Sequence, residues 1–256
     1  MRYVYLTSTE VRHTAFLDAL TPDFLPTLII REPKINKPPI KSNIIQEYQT
    51  DFAEQQRYYF TASQASRYSA VRIEPGAINH PSCVATIRQS QPDILLVFGT
   101  SLLAPEILSI PRLFSLNIHT GITQLFRGVD SAFWAIHDDK PEGIGATIHL
   151  INPTIDAGDV VLQARVTIDA DDTLPQLFFK SVMVGFELMG QALSGLQSGQ
   201  YEAQPLTKRG RLYQSADFNE LSLLKAEQQR QHVLNMYLAN KPARDLAIPI
   251  LSRQRV

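Results

Sequence analysis

At 256 residues, 44% of them hydrophobic and with a formal net charge of -1, the chain has the size and balance of one large globular domain with a modest appendage. That charge provides no field of either sign to argue for nucleic acid as a partner. The single cysteine, Cys83, excludes an intrachain disulfide and suits a reducing compartment, and no apolar run reaches the length of a signal segment or a membrane span. The expected address is the cytoplasm, with no membrane partner.

Tyr3 to Leu6 reads as a buried strand, Val11 to Leu20 as the helix after it, with Val11, Ala15, Leu17 and Leu20 apolar, and Thr27 to Ile30 as a second strand. This β-α-β opening predicts a doubly wound sheet. Its turn, Ser8-Thr9-Glu10-Val11-Arg12-His13, holds no glycine, and the first glycine of the chain is Gly76, so a dinucleotide-binding fingerprint is excluded. Arg12 and His13 stand where a helix N-terminus attracts anions; they either touch an anionic group of a substrate or form a solvated polar turn. Residues 32–43, with Pro33, Pro38 and Pro39 among lysines, read as a surface loop. The stretch from Ile44 to Tyr68 is polar and aromatic-rich, with helix expected from Phe52 to Phe60. Its Tyr48, Phe52, Tyr58, Tyr59 and Phe60 form either a core stripe, the favoured reading, or a base-stacking surface.

Ser82 to Gln89 reads as helix and Asp93 to Phe98, almost continuously apolar, as a central parallel strand. Then come a strand at Phe114 to Ile118, a helix at Ser131 to His137, strands at Ala146 to Leu150 and Val160 to Val166, and a long helix from Thr173 to Leu196. Leu174, Phe178, Val182, Leu188, Ala192 and Leu196 make that helix's apolar face, and Asp171-Asp172-Thr173 can cap its start. Beyond Gln200 the composition shifts: a hairpin-like segment from Thr207 to Tyr213 precedes helical periodicity from Phe218 to Leu238. The organisation expected is a domain over 1–199 and a small C-terminal region over 200–256, hairpin-like and then helical. From Pro205 onward Lys and Arg outnumber Asp and Glu, giving a basic tail that either receives a phosphorylated group or is solvated. Aromatic residues between Tyr213 and Tyr237 offer a homodimer contact.

Chemistry concentrates in Ser115-Leu-Asn-Ile-His119. Side chains alternate along a strand, so Asn117 and His119 point the same way at its C-terminal end, where open parallel sheets bind ligands. Ile155-Asp-Ala-Gly-Asp-Val160 supplies a carboxylate, Asp156. An amide donor beside a histidine, with an aspartate to hold the ring, suits acyl transfer to an amine. Phe126 and Trp134 either line a pocket or belong to the core, the core being favoured. His137 and His149 have no partner at metal-ligand spacing, and one cysteine cannot build a zinc motif, so no metal is expected. His80 and His232 receive no role.

The run Asn117-Ile-His119, the Arg127-Gly128 pair and Gly145-Ala-Thr-Ile-His149 leading to Asp156-Ala-Gly158 resemble the catalytic core of the folate-dependent formyltransferases, over roughly residues 93–165. That family includes methionyl-tRNA formyltransferase, phosphoribosylglycinamide formyltransferase and the N-formyltransferases of nucleotide-linked amino sugars. The resemblance implies an α/β, Rossmann-like formyltransferase fold, a mostly parallel sheet with helices on both faces plus a small C-terminal appendage. It implies 10-formyltetrahydrofolate as formyl donor. It also implies that Asn117 and His119 stabilise charge developing on the reacting oxygen, where losing one donor costs on the order of 10²–10³ in rate. His119 then handles the proton, and Asp156 orients and supports it. For the folate it implies a cleft at Leu96, Phe98, Gly99, Asn152 and Thr154, with Leu96 and Phe98 open to the alternative of buried strand residues.

On the substrate side the resemblance implies Arg127 and Gly128. Relatives commonly carry His-Pro-Ser-Leu-Leu-Pro where this chain has His119-Thr-Gly-Ile-Thr-Gln-Leu-Phe126, and Gly121 is similar to the nucleotide-sugar branch. Members acting on tRNA add a C-terminal β-barrel, and purine-pathway members begin with a glycine-bearing phosphate turn; neither pattern is read here. The acceptor implied is therefore a nucleotide-linked amino sugar, formylated for a surface polysaccharide. Lys208, Arg209 and Arg211 are candidate contacts to its diphosphate, the alternative being solvated side chains. A methionyl-tRNA formyltransferase-like enzyme, a formyltetrahydrofolate hydrolase and a catalytically inactive folate- or nucleotide-binding module are the competing readings.

Overall fold

A computed structural model describes residues 1–20, 22–34, 42–60 and 68–252. The proline-bearing stretch 35–41 of the expected loop, the end of the aromatic segment at 61–67, and Arg253 and Arg255 of the basic tail lie outside the described residues.

Five strands run parallel: β1 (Tyr3–Thr7), β2 (Pro26–Arg31), β3 (Val71–Arg72), β4 (Ile94–Phe98) and β5 (Phe114–His119). Two antiparallel strands, β7 (Gly145–Leu150) and β8 (Val160–Arg165), complete a seven-stranded sheet of order β3-β2-β1-β4-β5-β7-β8. Because β1 feeds β2 on one side while β4 and β5 extend the other, strand order reverses beside β1, the kind of switch point where α/β sheets leave a crevice.

Alternation divides the apolar residues of the central strands between two faces. Tyr3, Tyr5, Leu96 and Phe98 pack with Phe16, Leu17 and Leu20 of α1 (Val11–Leu20) and with Phe179, Val182 and Met189 of α6 (Leu174–Ser198). Val4, Leu6, Leu95 and Val97 pack with Cys83, Val84 and Ile87 of α3 (Pro81–Gln89) and Ile107 of the short α4 (Pro105–Leu108). Helices thus cover both faces, which is why β1 and β4 are buried at every position and almost wholly apolar. Thr173 caps α6 through a reciprocal box with Gln176, and Gly199, at φ +74°, closes its C-terminal end.

The aromatic segment forms α2 (Asn43–Tyr59), whose start nine residues before the expected Phe52 was hidden by its polar composition. Tyr59 stacks on Phe179, Phe52 and Phe60 pack against the same ring, and Tyr48 packs on Phe218, so these four of the five aromatics form the core stripe. Tyr58 is exposed.

One expectation for the C-terminal region is corrected. Arg211–Tyr213 is not half of a hairpin: it forms β9, paired in parallel with β6 (Phe126–Gly128). The helical part of the region packs on the rest of the fold. Its helix α7 (Glu220–Ala247) continues through Pro242, and Leu223, Ala226, Val233, Leu234 and Tyr237 share one apolar cluster with Phe133, Trp134 and Ile136 of α5 (Ser131–His137) and Leu174 and Leu177 of α6. Three cations of the basic tail are paired within the fold: Arg244 with Asp139 and Glu142, Lys241 with Asp245, and Arg230 with Glu227. No helix among the described residues is long and apolar enough to cross a membrane.

Candidate active site

The C-terminal ends of β4 and β5 open onto a cavity of about 520 Å³, a volume suited to a small organic ligand. Its walls come from the loop Gly99–Leu103, from Asn117 to Thr120, from His149 with the segment 151–156, and from Leu212 to Ser215 at the end of β9, with Lys34 at the edge.

Asp156 is the hub of the site. Its Oδ2 lies 3.2 Å from His119 Nδ1 and accepts the Gly128 backbone N–H at 2.9 Å. Oδ1 accepts from Asn117 Nδ2 at 3.4 Å and lies 3.4 Å from His149 Nε2. Asp156 adopts φ +45°, a left-handed conformation that aspartate tolerates better than most residues and that turns the loop so its carboxylate meets the strand ends. Burial opposes its ionisation, but the charge and hydrogen bond of His119, with those of His149, outweigh that penalty and hold the carboxyl well below the usual carboxylate range.

His119 is 4% exposed. Its Nε2 lies 3.1 Å from the Phe126 carbonyl oxygen and 3.1 Å from Ser131 Oγ. Asn117 Nδ2 is also 3.1 Å from His149 Nε2, and His149 Nδ1 is 2.9 Å from the Leu150 carbonyl, which fixes the proton of that ring on Nδ1 when it is neutral. Both amide hydrogens of Asn117 thus have partners, one of them the carboxylate. The expected three groups do converge, joined through Asp156.

Arg127 acts from outside the cavity lining. Its Nε donates to the Gly210 carbonyl and its Nη1 to the Ile155 carbonyl, both at 2.9 Å, so it ties the segment before β9 to the loop that carries Asp156. Phe98, Gly99, Asn152, Thr154 and Gly128 all line the cavity. Leu96 does not: alternation along β4 buries it fully in the core, and its assignment to the folate cleft is corrected to packing. Phe126 and Trp134 are buried, Trp134 stacked on Tyr213 with ring centroids 3.9 Å apart.

The turn after β1 is also placed differently from either sequence reading. His13 is buried rather than solvated, its Nδ1 at hydrogen-bond distance from Ser8 Oγ and its ring edge on Phe98. Gly99, at φ +83°, makes this packing possible, since a Cβ there would sit 2.1 Å from His13 Nε2. Burial first, then the charges of Arg12, Lys34 and Arg31, push the His13 imidazole well below its ordinary value. Arg12 donates to Gln56 Oε1 at 2.8 Å and lies over the rings of Phe52 and Phe178, so it joins α1 to α2 and α6. Neither residue lines the cavity. Lys208 and Arg209 are exposed and also stand off it.

Two participants, His149 and Ser131, were given no catalytic or binding role from sequence. His149 stands directly across from Asn117 in the β5–β7 register, and its alternation with Thr147 in Gly145–Leu150 was the available signal. Ser131 meets the site only through the chain path after β5, for which local sequence carries no signal. Among the described residues no group of three or more His, Cys, Asp or Glu is arranged to hold a metal ion.

A family model described as formyl transferase matches residues 42–193. Methionyl-tRNA formyltransferase of Pelobacter propionicus is 28% identical over 134 residues, 52% of this chain and 42% of the relative. The chain thus spans under half the length of that curated relative. Among solved structures, a sugar N-formyltransferase from a Shewanella species superposes with a TM-score of 0.61 at 19% identity, covering 88% of each chain. An N-formyltransferase from Helicobacter canadensis, solved with folinic acid and dTDP-3-aminofucose, gives 0.55 at 14% identity, covering 93% of this chain and 82% of that one.

Proposed function

This chain belongs to the formyl transferase family, and from that premise we propose that it transfers a formyl group from 10-formyltetrahydrofolate to the primary amine of a nucleotide-linked amino sugar. The observation that carries the reading is the carboxylate of Asp156, joined at the cavity wall to Asn117, His119 and the Gly128 N–H. The cavity fits the donor in kind: Val97, Leu103, Ile118 and Ile151 give it apolar walls, while Asn152 and Thr154 add polar groups. Gly99, Phe98, Asn152 and Thr154 would hold the folate, which supplies an activated formyl carbon.

Transfer forms a bond from the acceptor nitrogen to that carbon and breaks the carbon's bond to the folate nitrogen. One proton leaves the first nitrogen and one arrives at the second, so no external acid or base is consumed. Ionised Asp156 accepts from His119 Nδ1, which leaves Nε2 as the ring nitrogen that exchanges a proton. Asn117 is held at the cavity wall by Asp156 and His149, and it donates to the negative charge developing on the reacting oxygen by exchanging one of those two contacts for it. Arg127 keeps the Asp156 loop in place.

The sugar acceptor is supported by the extent of the structural likeness, which runs over 88% of both chains in the Shewanella case. Formylation for a surface polysaccharide, in the cytoplasm, fits that acceptor. Methionyl-tRNA as acceptor is the second reading, favoured by the sequence relatives. Supplying 10-formyltetrahydrofolate with a panel of nucleotide-linked amino sugars, with charged initiator tRNA, or with water alone separates them. Formyl transfer to a sugar nucleotide is expected. Turnover confined to tRNA or water would overturn the acceptor assignment.

A further inference from the structure

Asp156, held ionised, can only accept a hydrogen bond, so His119 Nδ1 carries its proton at that contact. What happens at the ring is then decided at Nε2. Two oxygens stand 3.1 Å from it, and they are not equivalent. The Phe126 carbonyl can only accept, so it serves a protonated Nε2 and offers nothing to a bare one. The Ser131 hydroxyl can do either, because its O–H rotates to donate and its lone pairs remain to accept.

The surroundings fit a dedicated contact. Ser131 is 1% exposed at the first residue of α5, and the residue capping that helix is Asp130, so its hydroxyl is not spent on the helix end. The loop after β5 leaves room for the pair at Gly121, where a Cβ would stand 2.5 Å from Ser131 Cβ and 2.8 Å from His119 Nε2. Among described charged groups, Asp156 faces the ring at Nδ1, His149 reaches it only through that carboxylate, and the Arg127 guanidinium is turned to the Gly210 and Ile155 carbonyls.

We infer that Ser131 is a positioning residue whose hydroxyl serves His119 Nε2 in both of its hydrogen-bonding states, donating when that nitrogen is bare and accepting when it is protonated. The inference rests on reading His119 as the proton-handling group, but its test needs neither formyl donor nor acceptor, so the two can fail separately.

The test is NMR on the full chain with ¹⁵N-labelled histidine, following the His119 ring nitrogens against pH in the parent, Ser131→Ala and Ser131→Thr. In Ser131→Ala the bare Nε2 loses its donor while the protonated one keeps the Phe126 carbonyl, so the titration midpoint of His119 should rise, by roughly half to one pH unit if one hydrogen bond is lost. Ser131→Thr, which keeps the hydroxyl, should return the midpoint to the parent's. Thermal melts of the same samples register any packing loss separately. A midpoint that stays in place in Ser131→Ala, with or without a lower Tm, overturns the inference, as does an equal displacement in both variants.

Discussion

Two histidines stand near the C-terminal ends of β1 and β5, strands of one sheet with β4 between them, and their surroundings give them opposite chemistry. His119 meets an ionised carboxylate on one nitrogen and two oxygens on the other, at a cavity wall. His13, near the end of β1, is buried against Ser8, Phe98 and the backbone of Gly99, with Arg12, Arg31 and Lys34 as the charges around it. The residue type is the same and the partners differ: a carboxylate, Asp156, for the strand-end His119, and cations for His13 in the first turn of α1. A histidine among cations and rings stays neutral and packs, whereas a histidine on a carboxylate can carry and release a proton.

The largest expected effect lies on the carboxylate side. His119→Ala and Asp156→Asn should each reduce kcat/KM for formyl transfer by about 10²–10⁴-fold while the chain stays folded, checked by steady-state kinetics alongside circular dichroism. Near-parent activity in either would erase the contrast. His13→Ala should do the reverse. Loss of buried packing and of the Ser8 contact should cost about 1–3 kcal/mol of stability, seen as a Tm lower by several degrees, with kcat/KM changed less than about 10-fold.

Stability against pH sharpens the contrast, because the two groups act in different windows. The folded state holds the His13 pKa below its unfolded value of about 6.5, so below that pH the unfolded chain binds a proton that the folded chain refuses. The parent should therefore lose stability from about pH 6.5 downward, and His13→Ala should lose less across that interval. Asp156 is also depressed, but as a carboxyl its contribution is complete above about pH 3.9 and is lost only as pH falls toward its folded value. The stability gap between the parent and Asp156→Asn should narrow as pH falls below about 4, measured by denaturant melts at each pH. The smallest effect belongs to Lys208→Ala with Arg209→Ala. Both side chains are exposed and off the cavity, so KM for the acceptor should change less than about 3-fold, consistent with the small worth of solvated charges.

Much of the sheet was legible because burial on both faces leaves continuous apolar runs, as in Ile94–Phe98, and because the long helix α6 carries its own cap and apolar stripe. Asn117, His119 and Asp156 were legible as motif residues at a strand end and in a following loop. Pairing between distant segments was not. His149 reaches Asp156 only through its register with Asn117, and the parallel match of Arg211–Tyr213 with Phe126–Gly128 joins pieces more than eighty residues apart. Arg12 and His13 looked like a solvated turn or an anion site because sequence does not show that Gly99 opens a slot for the imidazole or that Phe52 and Phe178 wait for the guanidinium.

The central claim is that His119 and Asp156 work as one unit through the 3.2 Å contact between Nδ1 and Oδ2. A double-mutant cycle on formyl transfer tests it most directly, comparing kcat/KM of the parent, His119→Ala, Asp156→Asn and the double variant. The double variant should be little worse than the poorer single one. Losses that multiply, each independent of the other, would contradict the account.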